Sequence, residues 1–155
     1  MQFSLQNQPE ITIAGFHLTG PWDKTVRQGF EQLGLWLELQ TFTQPRWLCA
    51  YYGNPQQMKP EQLRCITAIE VGEDYRLPEN SAGMQVSRLA SGPCAVAVIE
   101  VIDNNFTQPW LDFFAALLAE PGHRPDAQRP CLEYYLECDE AAGRWLIEMW
   151  IPLKA

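Results

Sequence analysis

The residues best placed to do chemistry lie near the end of the chain. Glu148 stands in the run Trp145-Leu146-Ile147-Glu148-Met149-Trp150-Ile151-Pro152. Strand alternation puts Leu146, Glu148 and Trp150 on one face. A carboxylate between leucine and tryptophan is costly to bury without a cation or a hydrogen-bond donor. The alternatives are a solvated strand face or an ion pair with Arg144. Upstream, Glu133 and Glu137 alternate with Tyr135, opposite Leu132, Tyr134 and Leu136. Carboxylates interleaved with tyrosines can hold a cation by charge and by π contact. Tyr52, Trp22 and Trp110 complete the candidate ligand-binding set. Each tryptophan follows a proline near the start of an expected helix, where it either lines the mouth of a cleft or packs in the core. Trp36, Trp47 and Trp145 read as structural.

Catalytic machinery is thin. His17 and His123 are the only histidines, one in a strand and one in a Gly-Pro loop. No Ser-His-Asp or Cys-His arrangement follows from the spacing, and there is no G-x-S-x-G. Metal-ligand spacing and a glycine-rich phosphate loop are also missing, so no cofactor is expected. Paired glutamates could still serve as general acid and base, which keeps a hydrolase as the enzyme alternative.

The elements that position these residues come from an internal repeat. Offset by 83 residues, Phe3-Ser4 falls on Val86-Ser87, Ile11–Ala14 on Cys94–Ala97, Phe30 on Phe113, and Tyr51-Tyr52 on Tyr134-Tyr135. Periodicity gives both halves the same order. In the first, strands at 3–6 and 11–19 form an extended pair turning through Asn7-Gln8-Pro9. A helix at 23–39 follows, with Val26, Phe30, Leu33 and Leu37 as its apolar stripe, then strands at 47–52 and 65–71. In the second, strands at 84–89 and 94–102 are split by Ser91-Gly92-Pro93. A helix at 108–119 carries Trp110, Phe113, Phe114 and Leu117 inward, and strands at 131–138 and 144–153 end the chain. The expected fold is α+β: two pseudo-symmetric βαββ-type modules with antiparallel sheets and one main helix each, residues 1–72 and 83–155, with a cleft between them. Clefts between modules are common ligand sites.

Composition narrows the function. The chain is 46% apolar and only 19% charged, which argues against disorder. A net charge of −8 leaves no basic stripe to neutralise phosphates, so direct nucleic-acid binding is disfavoured. Cationic or basic partners suit it better. Five cysteines, odd in number and with no CxxC, point to free thiols in a reducing compartment. With no leader-like N-terminus and no apolar run long enough to span a bilayer, a cytoplasmic monomer is expected.

Several runs resemble a known family. They are Ile13-Ala14-Gly15-Phe16-His17-Leu18-Thr19-Gly20-Pro21-Trp22, Gly29-Phe30-Glu31-Gln32-Leu33, Trp47-Leu48-Cys49-Ala50-Tyr51-Tyr52-Gly53-Asn54-Pro55 and Leu63-Arg64-Cys65. The second half adds Leu77-Pro78-Glu79-Asn80-Ser81, Gln108-Pro109-Trp110 and Ile147-Glu148-Met149. The chain is similar, over residues 11–153, to the GyrI-like small-molecule-binding family. The resemblance implies a duplicated module of the SHS2 type. It further implies binding to DNA gyrase, reduced supercoiling, and protection against gyrase-directed toxins and DNA-damaging agents. Family relatives sense lipophilic cations with a buried acid in an aromatic cleft, so a small lipophilic or cationic ligand is a second expected partner. Some hydrolyse strained electrophiles with cleft glutamates. This chain has no segment left for a helix-turn-helix, which disfavours a transcription factor. Where relatives carry an acid after Leu-Arg-Cys it has Ile66, so a symmetric two-acid site is not expected.

Overall fold

The computed structural model describes all 155 residues. The elements run β1 (Ser4–Gln8), β2 (Ile11–Thr19), α1 (Trp22–Glu38), β3 (Trp47–Tyr52), a single 3₁₀ turn at Pro60–Gln62, and β4 (Arg64–Val71). Then come β5 (Met84–Leu89), β6 (Gly92–Val101), α2 (Thr107–Ala119), β7 (Cys131–Asp139) and β8 (Arg144–Pro152). The fold class is α+β, with every strand pair antiparallel. No helix is long and apolar enough to cross a membrane.

The chain forms two compact units, Glu10–Ala90 and Met1–Pro9 with Ser91–Ala155. The first has the strand order β3-β4-β2-β5 and the second β1-β6-β8-β7. This corrects the expected pairing of the first strands. β1 does not turn back on β2; it runs against β6, with Ser4 opposite Val96 and Gln8 opposite Gly92. β5 likewise pairs with β2, Ile11 opposite Leu89, rather than with β6. The cause is local. Two-residue hairpins need positive φ at one or both turn positions. The links here are Pro9-Glu10, where proline locks φ near −65°, and Ala90-Ser91, which has neither glycine nor asparagine. Neither link carries the residues that favour a tight two-residue hairpin.

In the Glu10–Ala90 unit, α1 covers one face of the sheet. Ala14, Leu33, Trp36, Ile69 and Met84 form the core, with Phe16, Phe30, Phe42, Trp47 and Tyr75 around it. Leu33 buries as expected, but Thr25, Gly29 and Trp36 bury more deeply than their expected neighbours Val26, Phe30 and Leu37, which stay half-buried. The helix comes closest to the sheet where its residue is smallest. A Cβ on Gly29 would lie 2.3 Å from Thr67 Oγ1, and one on Gly15 would lie 2.2 Å from the Thr67 carbonyl oxygen. Thr67 is fully buried and its hydroxyl has no hydrogen-bond partner. An apolar-residue count cannot find a stripe built around a glycine.

In the other unit, α2 lies on Ala95, Ala97, Val101, Ile147, Met149, Ile151 and Leu153 through Phe113 and Leu117. Trp110 and Phe114 pack at the margin of this core, as expected of an inward face. Arg129 clasps the end of the sheet: its guanidinium donates to the carbonyls of Pro93 (2.6 Å) and Leu153 (3.0 Å) and pairs with Asp126 (3.4 Å). All five cysteines are free thiols, with Cys49, Cys65 and Cys94 buried and Cys138 exposed. Burial pushes the Cys131 thiol up to about 12, with Cys94 adding to the shift.

Candidate functional site

Glu133 occupies β7 on the face that α2 covers. Its register partner in β8 is Met149, and Tyr135 is opposite Ile147, both core residues beneath the helix. The carboxylate is 1% exposed. Two donors meet it, one on each oxygen: Trp110 Nε1 donates to Oε2 at 2.6 Å, and the Tyr135 hydroxyl donates to Oε1 at 2.5 Å. An ionised carboxylate only accepts hydrogen bonds, and short bonds of this kind are the strong ones. Trp110 reaches down from the first turn of α2, while Tyr135 comes from the same strand two residues on. Sequence spacing alone therefore brings the tyrosine, and helix packing brings the tryptophan.

Aromatic rings surround this acid. Trp110 stacks on Phe113, centroids 6.4 Å apart at 27°, and lies 6.2 Å from Phe114. Tyr135 meets Trp145 edge-on at 5.9 Å and Phe106 at 6.3 Å, and those two rings are 5.6 Å apart. Trp145 is fixed by donating from Nε1 to Asn104 Oδ1 at 2.8 Å, and Asn104 takes a left-handed conformation, φ 55°, that asparagine tolerates. Phe106 and Trp145 are the site residues that sequence reasoning missed. One precedes the helix and the other opens β8, so no single periodicity groups them. A carboxyl group held among aromatic rings has the chemistry for a lipophilic cation.

The remaining sequence-derived residues do not all converge here. Glu148 faces Tyr134 and Val98 across the strands, on the opposite face of the sheet from Glu133. It accepts a hydrogen bond from Trp150 Nε1 at 2.7 Å, so Glu148 and Trp150 do share a face. Glu137 is removed from the row by a bulge between Tyr135 and Glu137, which sets it opposite Leu146 rather than on the Glu133 face. That corrects the unbroken alternation expected for β7. Trp22 and Tyr52 belong to the Glu10–Ala90 unit. Trp22 lies edge-on to Tyr51 at 4.9 Å and donates to the Arg64 carbonyl at 3.0 Å. Tyr52 carries the Arg64 guanidinium 5.0 Å above its ring. No group of three or more His, Cys, Asp or Glu side chains forms a metal cradle.

A two-helix, antiparallel α+β frame of this kind is the architecture of a class of small-molecule-binding domains. The chain belongs to the GyrI-like small molecule binding domain family, whose model matches residues 1–154. It is 44% identical over 154 residues to a DNA gyrase inhibitor of Klebsiella pneumoniae, covering 99% of this chain and 98% of that one. A DNA gyrase inhibitor of Cronobacter sakazakii is 46% identical with the same coverage. Among solved structures, SAV2435 bound to tetraphenylphosphonium matches with a TM-score of 0.70 at 17% identity, covering 100% of this chain and 95% of that one. The EcmrR C-terminal domain matches at 0.73 and 10% identity, covering 99% and 97%. A hydrolase from Listeria innocua matches at 0.67 and 10% identity, covering 99% and 92%. These last three likenesses concern the fold.

Proposed function

We propose that this chain binds DNA gyrase, reduces its supercoiling activity, and acts without turning over a substrate. The observation that carries this reading is end-to-end similarity to DNA gyrase inhibitors, 44% and 46% identical over 98% or more of each chain. The net charge of −8 supplies a mechanism: an acidic surface competes with DNA for a basic surface of the enzyme. Glu73, Asp74 and Glu79 are exposed and suited to that contact. Restraint of gyrase in this way would protect cells from gyrase-directed toxins and DNA-damaging agents. The test is a supercoiling assay with purified gyrase at two salt concentrations. Inhibition that weakens with salt, and that is lost on charge reversal at Glu73, Asp74 and Glu79, fits the reading. Unchanged inhibition by that variant refutes the electrostatic mechanism, and no inhibition at either salt refutes the gyrase reading.

The Glu133 site favours a second reading, capture of a small lipophilic cation. A carboxylate held by Trp110 and Tyr135 among aromatic rings supports it, as does the fold shared with a tetraphenylphosphonium complex. Saturable tryptophan quenching by such a cation is the expected signal. Turnover of a strained electrophile, abolished by Glu133→Gln, would instead place the chain with the hydrolases of this fold.

A further inference from the structure

Helix α2 is apolar on both of its sides. Of its 13 residues only Thr107, Gln108 and Asp112 are polar, and the closing run Phe113–Ala119 holds no polar side chain. Phe113 and Leu117 are the buried ones. At about 3.6 residues per turn, Leu111, Ala115 and Leu118 fall on the opposite side. There Leu111 is 49% and Leu118 63% exposed. Half-buried Phe114 borders the same stripe. Single exposed leucines are ordinary, but a helix that is apolar all round is normally a covered one. Helix α1 shows the usual solvated arrangement, with Lys24, Arg27, Glu31 and Glu38 exposed alongside Leu35 and Leu39.

Charge decides what can cover the stripe. No lysine or arginine stands between Arg88 and Arg124, whereas Glu100, Asp103, Asp112 and Glu120 all do. All four acids are exposed. Asp112, the one charge on the helix, accepts a hydrogen bond from the neutral amide of Gln108 at 2.8 Å. An anionic membrane surface is thereby repelled, and the helix lacks the lysines and arginines that interfacial helices use. A second copy would set one chain of net charge −8 against another. An apolar protein surface bordered by lysine or arginine meets both the stripe and its rim.

We propose that the outer face of α2, built from Leu111, Ala115 and Leu118 with Asp112 at its rim, docks on an apolar, lysine- or arginine-bordered surface of DNA gyrase. This rests on the gyrase reading and adds the place of contact to it. Desolvated apolar centres hold a complex together, while rim charges mainly set the rate of encounter. The labour is therefore divided: Glu73, Asp74 and Glu79 speed association, and Leu111 and Leu118 slow dissociation. The inner side of the same helix serves Glu133 through Trp110, so the docking face and that cavity are separate.

The test measures association and dissociation rates of the full-length protein on immobilised purified gyrase. Leu111→Gln/Leu118→Gln puts good helix formers at exposed positions, so its circular dichroism and melting should match the parent. Its Kd should rise at least about tenfold, almost entirely through faster dissociation, with a matching loss of supercoiling inhibition. Asp112→Lys leaves both leucines in place and should instead slow association. Leu39→Gln, on the outer side of α1, should bind like the parent. Parent-like rates in the double variant, or an equal loss in Leu39→Gln, would overturn the docking face and leave the gyrase reading standing. No binding by the parent would end both. A parent dimer in sedimentation that the double variant splits into monomers would assign the face to self-association and overturn the proposal.

Discussion

Replacing Glu133 separates the binding of a cation from the stability of the fold. In Glu133→Gln the amide oxygen can still accept from Trp110 Nε1, and the amide N–H can donate to Tyr135 once its hydroxyl turns from donor to acceptor. Charge-assisted bonds become neutral ones, a loss of about 1 kcal/mol per bond. Removing a buried carboxylate returns its desolvation cost, several kcal/mol in principle. These oppose each other, so the net change in stability should stay within about 1 kcal/mol. Glu133→Ala strands both donors, at roughly 1–3 kcal/mol each, and should lose on the order of 3–5 kcal/mol. Cation binding behaves differently. A unit charge about 5 Å from the carboxylate, at an effective dielectric of about 20, is worth ~3 kcal/mol, or about two decades in affinity. Denaturant melts and tryptophan quenching by a lipophilic cation measure the two effects on the same samples. The reasoning fails if Glu133→Gln binds the cation as tightly as the parent, or if Glu133→Ala is as stable as Glu133→Gln.

Other consequences follow from the packing and the titrating groups. Gly29→Ala places a Cβ 2.3 Å from Thr67 Oγ1 and 2.8 Å from Leu18 Cδ1 and should cost about 1–3 kcal/mol in a chemical melt. Thr67→Ala should recover part of that loss, and a purely additive double variant would speak against the contact. Thiol labelling of the native protein at mildly alkaline pH should modify Cys138 quickly. It should spare Cys131, whose thiol stays protonated until about 12. Because His17 titrates below 6.5 in the folded protein, the unfolded chain binds its proton first as pH falls. Stability from neutral His17 is therefore complete above that range and is lost as pH drops through it towards the folded value. Melts at a series of pH values should show a shallower acid loss in His17→Gln than in the parent, and parallel curves would remove His17 from the account.

Much of the secondary structure was legible because strong periodicities met clear breakers. The stretch 108–119 and the pairs around 131–138 and 144–153 carry enough aromatic and β-branched residues to announce themselves, and their observed limits differ by a residue or two. The pairing of β1 and β5 was not legible. Alternation says that a segment is a strand and is silent about its neighbour. The two links between these strands lack the residues that favour tight hairpins, which fits the exchange. At the candidate site, Glu133, Tyr135 and Trp110 were all visible as residue types. Glu148 stood out more because it is set in a longer apolar run. Only the position of α2 decides which face of β7 and β8 lies under the helix, and it takes the odd-numbered residues of both strands as far as the bulge. The bulge at Leu136 leaves no mark in composition, and it removed Glu137 from the set.

The exchange of edge strands governs when the protein can fold. During synthesis β1 emerges first, yet its partner β6 begins 84 residues later than β1 ends, from Gln8 to Gly92. Its pairing is thus among the long-range contacts that fold slowly. Until then the first nine residues are an unpaired edge, which is the kind of segment that invites association with other chains. Their composition suits the wait: Ser4, Gln6, Asn7 and Gln8 are polar, and Pro9 cannot donate to a foreign strand. The same exchange means that a cut between the two sequence halves leaves each fragment holding a strand that completes the other. Mixed fragments are then expected to regain structure together that neither attains alone.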